Sequence, residues 1–328
     1  RAGDPDDIER GEFGYRRDDD GRIKWIGFWP RDCRTPILVP IAPQRLSNGH
    51  TWTLSGTEAA PTLSPSVNAV NIWHGWLRDG VACGRARPLQ VHPDPAKWFS
   101  LGEPQVERLG DVDVLLMRKD PPFDTEYIYS TYILERAEDQ GALVVNRPRG
   151  LRDMNEKVYT AWFPQCCAPT LITRDQGDME AFLAEHGKVV CKPLHGMGGR
   201  SIFVIERGDK NMNVVFETLT EYGSRFAIVQ RYIPEIVTGG DARVILVDGE
   251  PVPFALARIP SASDNRGNLA AGATGVTRPL DERDRFLAGQ IGPRLAEQGM
   301  LFVGLDVIGG FVTESNVTSP TGIREIDK

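Results

Sequence analysis

The stretch KPLHGMGGRSIF, residues 192–203, says more about the fold than any other part of this 328-residue chain. Apolar runs that read as buried strands flank its centre, KVVCKPL at 188–194 and SIFVIE at 201–206. The three glycines between them allow close backbone approach and leave N–H groups free to face an anion. There is no GxxxxGK[ST] sequence and a strand follows the loop, so a Walker loop and a dinucleotide fingerprint do not fit. By itself the loop is as compatible with a tight hairpin turn as with a phosphate site.

Working outward from this loop, strand-like and helix-like segments alternate along the chain. DVDVLLMR (111–118) reads as a strand, EYIYSTYILERAEDQG (126–141) has helical spacing, and ALVVNRP (142–148) is again a strand, which together indicate an α/β fold. Further helices are predicted at 151–163, 179–187, 213–223 and 282–299, the last interrupted near Pro293. Further strands are predicted at 170–174 and 226–233, with hairpins at 242–259 and 301–319 that turn at Asp248-Gly249 and Gly309-Gly310. Residues 260–281 lack periodicity and are predicted to be a loop.

Residues 1–80 differ from the rest of the chain and hold five of its seven tryptophans. Short β-like runs separated by Gly, Pro, Asn and Asp predict a small mostly-β segment there. Cys33, His50 and His74 lack the paired spacing of a metal site, so structural roles are favoured for them.

Composition excludes several classes of protein. Hydrophobic residues at 41% and charged residues at 25% are typical of a globular chain and argue against wholesale disorder. A net charge of −7 argues against a globally basic nucleic-acid binder, and the absence of a long apolar run argues against a membrane partner. Five cysteines without CxxC spacing indicate a reducing, cytoplasmic location. The polar start without Met or a signal-like stretch is compatible with a fragment or a natural fusion.

A metal-type cluster is predicted near the carboxyl end of the chain. Glu314 and Asn316 are two residues apart on one strand and therefore face the same side. The Gly309-Gly310 turn folds Asp306 back toward them. Three oxygen ligands without His or Cys suit Mg²⁺ better than Zn²⁺. A polar sheet face fits the spacing about equally well, but a carboxylate on the apolar strand LFVGLDVIG needs a partner.

Positive residues are placed around the glycine loop and the acidic pair. A phosphoryl-transfer site needs cations that neutralise charge on the transferring oxygens. Each cation alone fits a solvated surface residue, and it is their joint order along the chain that indicates a site. The set is Lys157, Lys192, Arg243, Arg258 and Arg266.

Residues 81–328 resemble the prokaryotic glutathione synthetase family of the ATP-grasp superfamily. The motifs that carry the resemblance are LLMRKDPPFDTEYIYSTYILERAE (115–138), LRDMNEKVYTAWFP (151–164), KPLHGMGGRSIF (192–203), VDGEPVPFALARIP (247–260), RGNLAAGATG (266–275) and LFVGLDVIG…TESNVTSPTGIREI (301–326). The resemblance implies a ligase that joins γ-glutamylcysteine to glycine through an acyl phosphate, with ATP and Mg²⁺, or Mn²⁺ in its place. It also implies a homo-oligomer, since family members are usually tetramers.

The resemblance also implies roles for individual residues. Arg243 and Arg258 would stabilise the transferring phosphoryl group and the tetrahedral intermediate. Asp306, Glu314 and Asn316 would hold the metal. The residues implied in nucleotide and substrate binding are Lys157, Lys192, Gly196, Met197, Gly198, Gly199, Ser201, Gln230, Arg231, Tyr232, Ile233, Arg266, Asn268 and Ser319. Of these, Arg266, Asn268 and Ser319 are assigned to the peptide substrate.

The expected fold is α/β: an ATP-grasp domain over 157–328, truncated at its carboxyl end, a partial pre-ATP-grasp α/β domain over 81–156, and an extra mostly-β segment over 1–80. That first segment weakly resembles a small uncharacterised phage-related domain and not the family's own first strand and helix. Departures from the family pattern are His195, Ala242 and Ser315, the last expected to face away from the metal. Two alternatives stay open: a chimeric or truncated nucleotide-binding protein without ligase activity, and an ATP-grasp ligase with a different substrate.

Overall fold

The computed structural model describes residues 13–17, 23–28, 37–40, 53–57, 60–64, 74–92, 99–260 and 273–326. The chain divides into two compact units: Arg1–Leu115 with Ile133–Val144 and Asp327–Lys328, and Leu116–Tyr132 with Val145–Ile326. Among the described helices, none combines the length and apolar composition that a bilayer crossing needs.

The first unit is built mainly from short antiparallel strands. They are β1 (Phe13–Arg17), β2 (Ile23–Phe28), β3 (Ile37–Pro40), β4 (Thr53–Thr57), β5 (Ala60–Ser64), β6 (His74–Arg78), β7 (Val81–Ala86), β8 (Leu89–Val91), β9 (Phe99–Leu101), β10 (Gln105–Arg108) and β11 (Val114–Leu116). They form the sheets β1-β2-β3, β4-β5, β10-β7-β6 and β8-β9. Strands β1–β6 fall within residues 1–80, where the sequence predicts a mostly-β segment. A small core packs Ala82 and Leu109 against Ala137 and Ala142. Cys33 and His50 lie outside the described residues.

Helices and longer strands follow in the rest of the chain. They are α1 (Thr125–Asp139), β12 (Leu143–Val145, paired with β11), α2 (Pro148–Asp153), β13 (Thr170–Thr173), α3 (Gln176–His186), β14 (Lys188–Pro193), β15 (Phe203–Glu206), α4 (Met212–Thr220), β16 (Ala227–Arg231), α5 (Ile236–Gly239), β17 (Asp241–Val247), β18 (Glu250–Ile259), β19 (Thr274–Pro279), α6 (Glu282–Glu297), β20 (Phe302–Ile308), β21 (Phe311–Asn316) and α7 (Ile323–Ile326).

Two antiparallel sheets organise the second unit. The first has the strand order β13-β16-β14-β15, and the second has the order β19-β18-β17-β20-β21. Helices α3 and α4 cover the first sheet and bury Met179, Leu183 and Phe216 against Val189 and Val229. This burial follows from the sequence, because the apolar residues of both helices recur on one face.

Helix α6 packs on the second sheet at the β17–β18 turn. Asp281 caps it, accepting a bond of 2.8 Å from the Asp284 N–H, while the Asp284 carboxylate accepts one from the Asp281 N–H. The backbones of Gly292 in α6 and Gly249 in the turn are in close contact. A Cβ on Gly292 would lie only 1.9 Å from the Gly249 carbonyl oxygen. The turn itself has Asp248 at φ 50° and Gly249 at φ 81°, as the sequence predicts for a two-residue hairpin.

The prediction of one helix over 151–163 is wrong. Helix α2 ends at Asp153, and a separate 3₁₀ turn covers Val158–Trp162. The side chain of Asn155 breaks the pattern because its oxygen accepts the backbone N–H groups of Lys157 (3.1 Å) and Val158 (3.0 Å). Asn competes in this way with the helical backbone.

Two further predictions need correction. The segment predicted to be a loop over 260–281 contains strand β19, which pairs with β18; residues 261–272 lie outside the described part. Helix α6 runs without a break through Pro293. Pro293 has no N–H to donate to the carbonyl of Gly289, but Gly289 is exposed. The buried side chains of Leu287, Ile291 and Leu295 pack the helix on the sheet.

Candidate functional site

A hairpin of β20 and β21 brings the three predicted metal ligands together. Asp306 lies directly opposite Glu314, and Asn316 lies opposite Gly304. The Asn316 amide nitrogen donates to the Gly304 carbonyl (3.1 Å), which leaves the amide oxygen for another contact. The side chain of Ser315 is buried on the other face, as expected, where its hydroxyl donates to the Glu156 carbonyl (3.3 Å).

Two arginines converge on the Asp306 carboxylate from the neighbouring strands. Arg243, opposite Asp306 in the sheet, binds it through Nε (2.6 Å) and Nη2 (3.3 Å). Arg258 Nη2 lies 3.0 Å from Asp306 Oδ1 and 2.7 Å from Asp241 Oδ2. The guanidiniums are buried, so this is a dense interior charge cluster of two cations and two carboxylates.

The two carboxylates of this cluster have pKa values shifted in opposite directions. Burial would raise the pKa of Asp306, but Arg243 and Arg258 lower it to about 2. Burial raises the pKa of Asp241 to about 6, against the opposing effect of Arg258. Asp306 is therefore ionised at any physiological pH, and it holds both guanidiniums in place.

Two buried lysines flank Glu314. Lys157 Nζ lies 2.7 Å from Glu314 Oε1 and donates a bond of 2.8 Å to the carbonyl of Gly196. Burial alone would lower the pKa of Lys157, but the Glu314 carboxylate outweighs it and raises that pKa. Burial lowers the pKa of Lys192, with Glu314 opposing and Lys157 reinforcing the shift. For Glu314, burial is outweighed by the two lysines, which lower its pKa.

The glycine loop connects β14 to β15 beside Lys157. Positive φ angles at Gly198 (66°), Gly199 (75°) and Ser201 (55°) give it a backbone that few side chains allow. Met197 is exposed at the tip of the loop, and Gly196 is held at its base by the Lys157 ammonium. The loop and the charged hairpin are therefore linked through one lysine.

The predicted adenine-binding strand end lies on β16 and just beyond it. Gln230 is buried and bonds Thr170 (3.3 Å), and Ile233 is buried as well. The Tyr232 N–H donates to the Lys188 carbonyl (3.0 Å), and the Arg231 guanidinium stacks over a neighbouring phenylalanine ring.

The residues assigned to the peptide substrate are only partly described. The Ser319 hydroxyl donates to the Asp120 carboxylate in a partly buried bond. Arg266 and Asn268 lie outside the described residues, so their assignment stays a prediction.

The structure adds four residues that the sequence reasoning did not select. Asp241 lies in the arginine cluster, and Glu156 accepts two bonds from Thr318, at 3.0 Å to its N–H and 2.7 Å to its hydroxyl. Arg118 is half-buried in the segment before α1. Tyr127 is fully buried within α1. A signal was present: the motif MRKDPPFD holds Arg118, and Glu156 directly precedes Lys157.

The donor chemistry of this site fits a hard divalent cation. Two carboxylates and an amide oxygen on paired strands are the ligand types that Mg²⁺ takes. Around them are four buried cations, Lys157, Lys192, Arg243 and Arg258, which can neutralise phosphoryl oxygens. Such an arrangement can bind a nucleotide polyphosphate and stabilise charge that moves between oxygens during phosphoryl transfer.

Family models match nearly the whole chain. The ATP-grasp domain of prokaryotic glutathione synthetase matches residues 156–328, and the N-terminal domain of the same family matches residues 53–152. The second match begins well before residue 81, where the resemblance was expected to start. A model described as bacterial ubiquitination-like system serine protease (BubE) matches residues 1–85, the segment for which a phage-related domain was expected.

Individual relatives agree with the family models. The chain is 57% identical to the glutathione synthetase of Pseudomonas aeruginosa over 253 residues, which are 77% of this chain and 80% of that protein. It is also 57% identical to the enzyme of Pseudomonas putida, over 76% of this chain and 78% of that protein. Among solved structures, the D-cycloserine synthetase DcsG has a TM-score of 0.54 at 16% identity and covers 65% of this chain and 78% of that one. At this identity the structural likeness shows the fold alone.

Proposed function

This chain belongs to the prokaryotic glutathione synthetase family, and from that premise we propose how its own residues carry out the reaction. It has the α/β ATP-grasp fold and is an ATP-dependent carboxylate–amine ligase that forms glutathione. The substrates we propose are γ-glutamylcysteine, glycine and ATP. The alternatives of a chain that only binds nucleotide and of a ligase for another substrate are not favoured, given 57% identity over 80% of a glutathione synthetase.

One observation supports the placement of the chemistry more than any other. Lys157 bridges the glycine loop and Glu314, while Arg243 and Arg258 meet on Asp306, the residue opposite Glu314. Lys192 is also buried, and its charge interacts with Glu314. Four cations therefore surround the paired carboxylates of Asp306 and Glu314. Catalysis of phosphoryl transfer depends mainly on such positioning and charge stabilisation.

The proposed reaction has two steps. First, the cysteinyl carboxylate of the dipeptide attacks the γ-phosphorus of ATP, ADP leaves, and an acyl phosphate forms. Second, the glycine amine attacks the acyl carbon, phosphate leaves with its electron pair, and the nitrogen loses a proton. Arg243 and Arg258 stabilise the negative charge of both transition states, and the glycine loop excludes water that would hydrolyse the acyl phosphate.

Lys157 and Lys192 are proposed to bind the phosphates of ATP, with the backbone of residues 196–201 closing over them. Gln230 to Ile233 would line the adenine. Asp306, Glu314 and Asn316 would hold Mg²⁺, which when bound supplies charge neutralisation to the phosphates. The proposal also includes domain limits at residues 80 and 156, a homo-oligomeric assembly and a cytoplasmic location. It assigns Arg266, Asn268 and Ser319 to the peptide substrate.

The test is phosphate release from Mg-ATP with γ-glutamylcysteine, with and without glycine, and mass-spectrometric detection of glutathione. The wild-type chain should release phosphate in a glycine-dependent way. Lys192→Met removes a buried cation and Glu314→Gln removes a charge that pairs with Lys157, so each should lower kcat/KM by at least about 100-fold.

Matched controls are Lys210→Met and Glu297→Gln, which change an exposed lysine and an exposed glutamate by the same chemistry. Both should keep full activity. Normal turnover by Lys192→Met or Glu314→Gln would refute the site, and a folded wild-type chain that forms no glutathione would refute the proposed function.

A further inference from the structure

Strand β21, which carries Glu314 and Asn316, lies at the edge of the second sheet. Its register with β20 shifts between Asp306 and Val307, so the pairing of the two strands is irregular next to the Asp306–Glu314 pair. An irregularity of this kind disrupts the ladder locally and changes the direction of a side chain. Pairing with β20 therefore does not by itself fix where the two proposed metal ligands lie.

Glu156 holds the outer edge of this strand. Its main-chain carbonyl accepts the N–H of Ser315 at 2.9 Å and the Ser315 hydroxyl at 3.3 Å. Ser315 lies between the two ligands in sequence, and its side chain is buried on the face opposite to theirs. Glu156 thus gives the edge strand a partner of the kind that a further strand would otherwise supply.

The Glu156 side chain makes a second attachment to the same stretch of chain. Its Oε1 accepts the Thr318 N–H at 3.0 Å and the Thr318 hydroxyl at 2.7 Å. Asn316 therefore lies between two points of attachment, Ser315 before it and Thr318 after it. Glu156 and Thr318 are both buried, and a buried carboxylate is costly where an apolar side chain could fill the space. Its presence here indicates a role beyond packing.

Lys157, the next residue, contacts the same strand on the side of the site. Its ammonium lies 2.7 Å from Glu314 Oε1. The adjacent residues Glu156 and Lys157 therefore contact the adjacent residues Ser315 and Glu314. One short stretch of chain sets the place of the metal ligands relative to a lysine that is proposed to bind phosphate.

We propose that Glu156 is a positioning residue for the metal. Through its bonds to Ser315 and Thr318 it fixes the strand that bears two of the ligands, and it thereby raises the affinity of the site for a divalent cation. The inference rests on the proposed function, in which this strand and Asp306 hold Mg²⁺. Replacing residues that orient metal ligands without touching the metal commonly weakens metal binding by about 10- to 100-fold.

The test uses Thr318→Val, which removes the hydroxyl bond to Glu156 and leaves the carboxylate in place. The probe is Mn²⁺, whose binding to the protein with saturating ADP can be followed by electron paramagnetic resonance. We expect the Kd for Mn²⁺ to rise about tenfold. The free Mg²⁺ concentration for half-maximal activity should rise by the same factor, with the KM for γ-glutamylcysteine unchanged.

Two further variants support this measurement. Thr318→Ser keeps the hydroxyl and should keep the wild-type Kd. Ser315→Ala removes the longer bond to Glu156 and should raise the Kd by a smaller factor than Thr318→Val. Glu156 itself is not replaced, because its charge acts on Glu314 directly and its loss would alter the metal site without moving it.

Thr173→Val is the matched control. Thr173 is a buried threonine of the first sheet, and its hydroxyl donates to the Asp178 carboxylate at 2.9 Å. Thr173→Val and Thr318→Val thus lose the same kind of bond, and both should lower the melting temperature. Only Thr318→Val should change the Kd for Mn²⁺, since a merely structural role would not move it.

The outcomes separate the inference from the proposed function. If Glu314→Gln weakens Mn²⁺ binding and neither Thr318→Val nor Ser315→Ala does, the ligands stand and the inference fails. A rise in the KM for γ-glutamylcysteine without a change in the Kd for Mn²⁺ would also overturn it. If the folded wild type binds Mn²⁺ but forms no glutathione, the proposed function fails, and the Mn²⁺ Kd values still decide the inference.

Discussion

Asp306 is the residue on which the two buried arginines of the site depend. Its carboxylate accepts from Arg243 at 2.6 Å and lies 3.0 Å from Arg258 Nη2. A buried ion pair is costly to break from one side, because the partner charge is left without compensation. We expect Asp306→Asn to lower the free energy of unfolding by about 3–5 kcal/mol, measured by urea denaturation.

Asp139→Asn is the matched control for that measurement. It removes the same charge from an exposed pair with Arg136, whose nitrogen lies 3.1 Å from the Asp139 oxygen. Exposed pairs contribute at most about 1 kcal/mol. Equal effects of the two substitutions would show that the Asp306 cluster is not the buried network described above.

For individual residues, the alternation of side chains along a strand predicted the acidic part of the site. Period-two spacing placed Glu314 and Asn316 on one face, and the Gly309-Gly310 turn correctly returned Asp306 to them. Glu156 and Asp241 could not be selected in this way. Their importance comes from partners distant in sequence, Thr318 for Glu156 and Arg258 for Asp241, which only the folded chain brings close.

Among the elements, helix α6 is continuous through Pro293, although the sequence predicted an interruption there. Pro293 and Gly289 are both exposed, so the carbonyl that lacks a partner can bond water. The interior proline still costs helix stability. We expect Pro293→Ala to raise the free energy of unfolding by about 1–3 kcal/mol, seen as a higher urea midpoint.

Gly292→Ala, one residue away, should have the opposite sign. Its new Cβ would lie 1.9 Å from the Gly249 carbonyl oxygen, and backbone atoms have to move to admit it. A decrease in stability with Gly292→Ala and an increase with Pro293→Ala would show that packing on the β17–β18 turn, and not helix propensity, holds α6. Two changes of the same sign would contradict this explanation.

Most elements could be predicted because their apolar periodicity agreed with their packing, as in α3, β14 and β16. The failure at 151–163 has a local cause, the Asn155 side chain that takes two backbone N–H groups. Strand β19 was missed because it is largely exposed and polar, so alternation gave no signal, and its pairing with β18 is a tertiary contact.

For the molecule as a whole, the buried acids predict an unusual pH dependence of stability. The pKa of Asp241 is raised to about 6 by burial, above its value of 3.8 in an unfolded chain. Between those values the folded state holds a proton that the unfolded state has lost. Stability from this group therefore falls as the pH rises from about 4 to about 6.

Asp306 acts in the opposite direction and at lower pH. Its pKa is lowered to about 2 in the folded state by the two arginines, so its contribution is present above pH 4 and is lost as the pH falls toward 2. The two windows do not overlap. Burial also raises the pKa of Glu156, so the Asp241 effect is measured as the difference between the wild type and Asp241→Asn.

We expect Asp241→Asn to remove about 1–3 kcal/mol of the change in unfolding free energy between pH 4 and pH 6.5. The measurement is a series of urea denaturations across that range. Glu235→Gln, at an exposed carboxyl, should keep the wild-type slope. An unchanged slope in Asp241→Asn would mean that this carboxyl does not hold a proton in the folded protein.

The family matches divide the chain differently from the limits expected from sequence. Residues 53–85 are matched by two models, that of the glutathione synthetase N-terminal domain and that of the BubE protease. A boundary at residue 80 came from composition and tryptophan content, which do not locate the end of a fold. The domain limits at residues 80 and 156 stay predictions.

The contact between Gly249 and Gly292 also constrains how this sequence can diverge. A side chain at either position meets backbone of the other, at 2.8 Å from the Gly292 oxygen in one direction and 1.9 Å from the Gly249 oxygen in the other. A substitution of one glycine cannot be compensated by a substitution of the other, because the new side chain clashes with backbone atoms and not with a side chain. In a saturation mutagenesis experiment both positions should reject substitution as strictly as a catalytic residue, although neither touches a substrate.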